Sequence, residues 1–167
     1  AGECFDKAAR AMGIPYPGGV ELDKIAEGGN PQAYKLPQPH VAGAPLDYSF
    51  SGLKTAVLNL LHNAKQKGEK VSIPDLCASY RQAVVTSLTT AFMKAAEQTG
   101  MKKLAVAGGV SANRLLRREL GALCEKAGKE LYLPALPLCG DNAAMIASQG
   151  YYEYLAGTRH GLDLNAI

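Results

Sequence analysis

The sequence predicts an α/β fold, rich in helix, with a small parallel sheet. Three observations carry that prediction. Two apolar segments of strand length, KLAVAG (103–108) and ELYLPAL (130–136), flank an amphipathic helical stretch, the pattern of a strand–helix–strand unit. Segments of helical period lie on both sides of that unit. The 167 residues are 47% hydrophobic and 20% charged, which suits one folded domain with its own core.

Phe5, Ala8, Ala9 and Met12 give residues 2–13 one apolar stripe at i, i+3, i+4, i+7, hence a first helix. GIPYPGG (13–19) ends it, because prolines and glycines do not continue a helix. A short helix is predicted over 20–27, with Leu22, Ile25 and Ala26 inward. Residues 28–47 read as loop. Tyr48 and Phe50 alternate as in an extended piece, and Leu53, Val57, Leu60, Leu61 and Ala64 then take helical period. KQKGEK (65–70) is an exposed turn. Ser72, with Asp75 three residues on, has capping-box spacing before a long helix to about Gln98. Its inward positions are Leu76, Tyr80, Ala83, Val84, Leu88, Ala91, Phe92 and Ala95, and Gly100 suits its C-terminal cap. KLAVAG is a buried strand. Ser111 or Ala112 starts a helix bearing Leu115, Leu116, Leu120 and Leu123, and ELYLPAL is the second strand. Asp141 starts a last helix, closed by Gly157, and the tail beyond has no period.

No apolar run approaches the ~20 residues of a membrane-spanning helix, and AGECFDKAAR reads as helix rather than leader. Both fit a cytoplasmic protein with no membrane role. Cys4, Cys77, Cys124 and Cys139 form no C-x-x-C pair, so they read as reduced core thiols. The net charge of +3 does not by itself argue for nucleic acid. Lys65, Lys67 and Lys70, Lys102 and Lys103, and Arg114, Arg117 and Arg118 are local basic clusters that read as solvated faces, with room for an RNA-facing surface.

Parallel pairing puts the turns after both strands, Gly108–Asn113 and Leu138–Asn142, on one edge of the sheet, where open α/β sheets bind ligands. Gly108 and Gly109 allow close backbone approach, and the helix N-terminus after them suits a phosphate or ribose oxygen. Asn113 can donate and accept, and Asp141 brings a carboxylate to a helix start. YPGGVELD (16–23) is another Gly-Gly before a helix, and with Asp6 these segments could surround one nucleoside. The same features also serve as ordinary turns and caps. The spacing matches neither G-x-G-x-x-G nor a P-loop. His40, His62 and His160 show no metal-ligand spacing, and no self-sufficient catalytic set is visible.

GECFDKAARAMGIPYPGG, DYSFSGLKTAV, LAVAGGVSANRLLRREL and CGDNAAMIASQGYYEY closely resemble the bacterial TsaD family, the threonylcarbamoyl transferases of tRNA modification, formerly called O-sialoglycoprotein endopeptidases or glycoproteases. The resemblance runs through essentially the whole chain. It implies a two-lobed actin-like, Hsp70-like ATPase fold (the ASKHA group, RNase H-like). It also implies transfer of threonylcarbamoyl from threonylcarbamoyl-AMP to N6 of adenosine 37 in tRNAs reading ANN codons. Iron or zinc (Fe2+ or Zn2+), an ATP/ADP-type nucleotide in the cleft, and TsaB-like and TsaE-like partners belong to that picture.

Carried over by motif, Asp6 holds the donor's ribose, Gly19 and Asp23 are further nucleoside contacts, Asn113 meets the adenosine, and Asp141 is the carboxylate metal ligand; Gly108 and Gly109, read from their turn alone, are expected in the same nucleotide site. The family's H-x-x-x-H helix and its SGGH phosphate loop have no counterpart here. The resemblance therefore implies a C-terminal lobe (1–167) of a protein roughly twice as long, without its N-terminal lobe. A helical insertion is expected at about 14–100 and a strand–helix–strand–helix core at about 101–157, inactive alone. With only two firm strands left, the flank of the sheet is expected to be covered by self-association, by rearranged helices or by residues outside this sequence. Two alternatives stay open: a metalloprotease, as the older family name says, although no H-E-x-x-H is present, and a nucleotide-binding actin-like scaffold.

Overall fold

A computed structural model describes residues 1–39 and 41–161. His40 and the tail 162–167 lie outside the described residues. Helix α1 (Gly2–Ala11) buries the predicted stripe, Cys4, Phe5, Ala8 and Ala9. Helix α2 (Gly18–Ala26) begins two residues earlier than its sequence predicts. Pro17 at its N-cap offers no side-chain acceptor; the Asp6 carboxylate of α1 accepts the Gly19 N–H instead, at 2.9 Å. A cap supplied by another helix leaves no local signal.

Residues 48–50 form no strand, since no partner edge lies beside them; Tyr48 and Phe50 stack their rings 5.9 Å apart before α3 (Ser51–Lys67). Helix α4 (Ile73–Gln98) starts at Ser72 as predicted, but the reciprocal half of the capping box is replaced. The Ser72 N–H donates to the Tyr34 hydroxyl at 2.9 Å, and the Asp75 carboxylate accepts the Asn30 N–H at 2.8 Å. That donor holds the Asp75 carboxyl below its usual range. Two elements of the preceding loop are thereby pinned to the head of α4.

Helix α4 is the spine of the molecule. Its first half closes one core with α1, α2 and α3, and Tyr80, Leu76 and Val84 lie at the centre of it. Its second half packs against the strand–helix–strand unit. There β1 (Lys103–Ala105) pairs in parallel with β2 (Glu130–Tyr132), Leu104 opposite Leu131. The predicted parallel sheet is thus present, but each strand is three residues rather than six or seven. Gly108 leaves β1 at φ +86°, and Pro134 removes a donor after β2. The expectation of a fully buried strand is also corrected: Leu104 is covered and its neighbours Lys103 and Ala105 are exposed, because helices cover one face of the pair only.

A 3-10 turn (Gly109–Ala112) leads into α5 (Arg114–Lys126). Its N-cap is Asn113, one or two residues later than predicted, and Asn113 Oδ1 accepts the Leu116 N–H at 3.0 Å. Cys124, four residues after Leu120, takes the inward place expected of Leu123, which stands 37% exposed. A second 3-10 turn (Leu136–Leu138) precedes α6 (Ala143–Leu155). Asn142, not Asp141, caps α6, accepting the Met145 N–H at 3.1 Å. No residue of α6 is buried, and Met145, Ile146, Tyr151, Tyr152 and Leu155 are each at least half exposed.

All four cysteines are buried free thiols, as their apolar surroundings predict. Burial raises the Cys4 thiol and pushes Cys77 up to about 11, so neither is a thiolate at neutral pH. No helix among the described residues is long and apolar enough to cross a membrane.

Candidate functional site

A cleft of about 520 Å³ opens where α1, α2 and the start of α5 meet. This is within the range of ligand pockets. Asp6, Gly19, Asp23, Gly109 and Asn113 line it, from three segments separate in sequence. Gly108 stands beside them at the turn into Gly109, in a left-handed conformation that favours glycine. Leu136, from the segment after β2, also lines it. The turn after β1 reaches the cleft as expected, but no residue of Leu138–Asn142, the stretch expected to share it, is among its lining; Leu136, two residues earlier, takes that place. Asp141 is not among its lining residues; it is exposed, just ahead of α6. His62 and His160 are exposed and far from forming a ligand set: among the described residues no group of three His, Cys, Asp or Glu could hold a metal.

The polar groups of the cleft are fixed by one another. Asp6 Oδ1 accepts the Gly19 N–H, which places its carboxylate at the positive end of α2. Asp23 is buried, and its Oδ1 accepts the Asn113 amide at 2.8 Å and Arg81 Nη1 at 3.0 Å. Its Oδ2 accepts the Arg114 N–H at 3.3 Å. Arg81 comes from α4, is 5% exposed, and also donates to the Asp23 and Ala26 carbonyls and to Glu27. Its guanidinium holds the Glu27 carboxyl below its usual range. Asn113 is thus gripped twice, as helix cap and as donor to Asp23, with one Nδ2 hydrogen uncommitted. Lys24 and Arg114 stand at the rim as cations.

The close approach of α1 and α2 that forms this wall depends on Gly18. A Cβ there would lie 2.7 Å from Ala9 Cβ and 3.1 Å from Asp6 Cα. Gly18→Val is expected to destabilise by about 1–3 kcal/mol and to separate Asp6 from Gly19. Urea unfolding and faster amide exchange at Gly19 would register the two effects.

Two residues of this site have no separate mark in the sequence. Arg81 interrupts the apolar stripe of α4 beside Tyr80 and Val84, and the acids that answer it, Asp23 and Glu27, recur at i, i+4 on α2. Arg117 reads as one of a solvated basic cluster, yet it folds back over the cleft's loops. Spacing relative to Asn113, one helical turn away, was the only available hint.

Fold and cleft together define a helix-rich α/β chain with a cleft beside the turn that leaves the first strand of a parallel pair. The chain belongs to the TsaD family: the family's sequence model, described as tRNA N6-adenosine threonylcarbamoyltransferase, matches residues 1–148. Proteins of that name from Clostridium botulinum (strain 657 / Type Ba4) and Moorella thermoacetica are each 48% identical over 167 residues, all of this chain and 49% of theirs. One from Anaeromyxobacter sp. is 49% identical over 172 residues, covering 99% of this chain and 50% of its own length. The chain spans about half the length of these curated relatives.

Proposed function

We propose that this chain is the C-terminal, nucleoside-holding lobe of a tRNA N6-adenosine threonylcarbamoyltransferase of actin-like (ASKHA) fold. The observation that carries the reading is the convergence of Asp6, Gly19, Asp23, Gly109 and Asn113 on one cleft. Asp6, Gly19, Asp23 and Asn113 are the residues to which the family motifs attach the adenylate, and Gly109 belongs to the glycine turn expected beside them. A helical insertion at about 14–100 and a core at about 101–157 complete the proposed lobe. Cytoplasmic TsaB-like and TsaE-like partners, tRNA, and self-association of this chain belong to the same proposal.

In the reaction, N6 of the tRNA adenosine attacks the carbamoyl carbon of threonylcarbamoyl-AMP. The N–C bond forms, the C–O bond to phosphate breaks, AMP leaves, and the N6 proton passes to solvent. The residues here contribute position. The Asp6 carboxylate offers Oδ2 to ribose hydroxyls, and Gly109 admits the ligand close to backbone. Asn113, locked by Asp23, presents its remaining amide hydrogen in a fixed direction. Lys24 and Arg114 at the rim suit the phosphate.

Fe2+ or Zn2+ asks for three or more ligands. The described residues offer the exposed Asp141 carboxylate and no cluster that completes such a site, so no step is derived through a metal.

AMP binding to the chain in its longest natural form, measured by calorimetry, tests the reading. Asn113→Ala is expected to weaken AMP about tenfold, the worth of one good hydrogen bond. With partners, threonylcarbamoyl-AMP and unmodified tRNA, that longest natural form should yield modified adenosine. AMP bound without any transfer would return the scaffold alternative.

A further inference from the structure

We propose that Arg117 is a positioning residue that holds the two walls of the cleft at a fixed separation. The inference rests on the adenylate reading of the cleft. Arg117 lies one helical turn after Asn113 on α5, half-buried. Its Nε donates to the Ser111 carbonyl at 2.6 Å, inside the turn that follows β1. Its Nη2 donates to the Pro134 carbonyl and lies 3.4 Å from Cys139 Sγ, in the turn that follows β2. One rigid guanidinium therefore ties both carboxyl-edge turns together.

The anchor points matter for the site. Ser111 sits between Gly109 and Asn113, both of which line the cleft. Pro134 and Cys139 bracket Leu136, the residue that forms the facing wall. Leu136 is itself 61% exposed and makes no part of either core, so packing does not hold it. The three-residue β2 ends at Tyr132, so the sheet ladder does not hold it either. The Cys139 side chain is buried and approaches the Pro134 and Ala135 carbonyls at 4.0 and 3.6 Å, which keeps this turn folded on itself. What fixes the turn relative to α5 is Arg117. The guanidinium presents Nε and Nη2 as separate donors on one rigid planar fork, whereas a lysine ammonium is a compact charge on a flexible stem.

A double-mutant cycle separates this role from general stabilisation. AMP affinity is measured by calorimetry for the wild type, Arg117→Met, Leu136→Ala and the double variant, in the chain's longest natural form. If Arg117 acts through Leu136, each single change weakens AMP about tenfold and the double change weakens it little further than either. Losses that multiply, to about a hundredfold, overturn the proposal, as does an Arg117→Met variant that binds AMP like the wild type. Arg117→Lys replaces Arg117→Met in the cycle should the latter not fold, and is expected to lose affinity in the same way.

Amide exchange gives a reading independent of the ligand. The Leu138 and Cys139 N–H groups close the second 3-10 turn on Ala135 and Leu136. They are expected to exchange about tenfold faster in Arg117→Met, with the Leu104 amide of β1 unchanged. Equal acceleration at all three, or at none, overturns the strut. A wild type that binds no AMP overturns the adenylate reading, and the exchange result then decides the strut alone.

Discussion

Asp23→Ala is expected to lower the unfolding free energy by about 3 kcal/mol, the low end for breaking a buried ion pair, because it removes the more buried of Arg81's two carboxylate partners. Arg81 is 5% exposed, and its side chain was brought there by a carboxylate it touches at 3.0 Å. Glu27 remains paired with Arg81 Nη1, but it is more than a third exposed on its side chain, so its attraction is the more screened of the two. Arg81 Nε has no partner among the described residues even in the intact network, so the residue has little to spare. The same carboxylate orients the Asn113 amide, so AMP affinity should fall together with stability. A urea midpoint measured for Asp23→Ala and for Asp23→Leu/Arg81→Leu decides the cause. The double variant should be much the more stable of the two, since removing both charges leaves neither stranded. A single variant that loses less than about 1 kcal/mol would mean water reaches Arg81, contrary to the burial argued here.

Tyr80→Ala is expected to cost about 3–5 kcal/mol, through a cavity rather than a charge. Tyr80 is fully buried in the first core, with its ring edge-on to Phe5 at 5.9 Å between centroids. Its hydroxyl donates to the Cys4 carbonyl at 2.9 Å, and burial pushes its phenol far above the usual range. Tyr80→Phe keeps the ring and removes only this hydrogen bond, since the Cys4 carbonyl keeps its place in the ladder of α1, so about 0.5–1.5 kcal/mol is expected. The difference between the two variants, read from denaturant curves of equal slope, divides packing from hydrogen bonding. Both should loosen α1 against α4. Asp6 lies on α1 directly after Phe5, so even Tyr80→Phe is expected to weaken a ribose-bearing ligand.

The parts of the fold that repeat in sequence were legible. The stripe of α1, the cap of α4 at Ser72 and the strand–helix–strand order all follow from periodicity and local caps. What was misread depends on contacts between distant segments. Helix α2 starts early because Asp6 caps it from thirteen residues away. Tyr48 and Phe50 alternate like a strand but have no neighbour to pair with. The strands stop at Ala105 and Tyr132, ahead of Gly108 and Pro134, where turn chemistry outweighs the apolar run. At the site, the glycine turns and Asn113 carry recognisable chemistry. Arg81 and Arg117 do not, since an arginine's burial depends on which carbonyls and carboxylates the fold brings to it. Asp141 shows the opposite case: its motif is plain, but the cleft's described walls do not include it.

That position has a mechanical meaning. Asp141 sits one residue ahead of the cap of α6, a helix of 13 residues with nothing buried along it. A segment of that length is marginal in water without a surface to lie on. Seating α6 would therefore do two things in one movement, cover its tyrosines and aim the carboxylate at its head, so that occupancy of a greasy face and readiness of an acidic group rise and fall together.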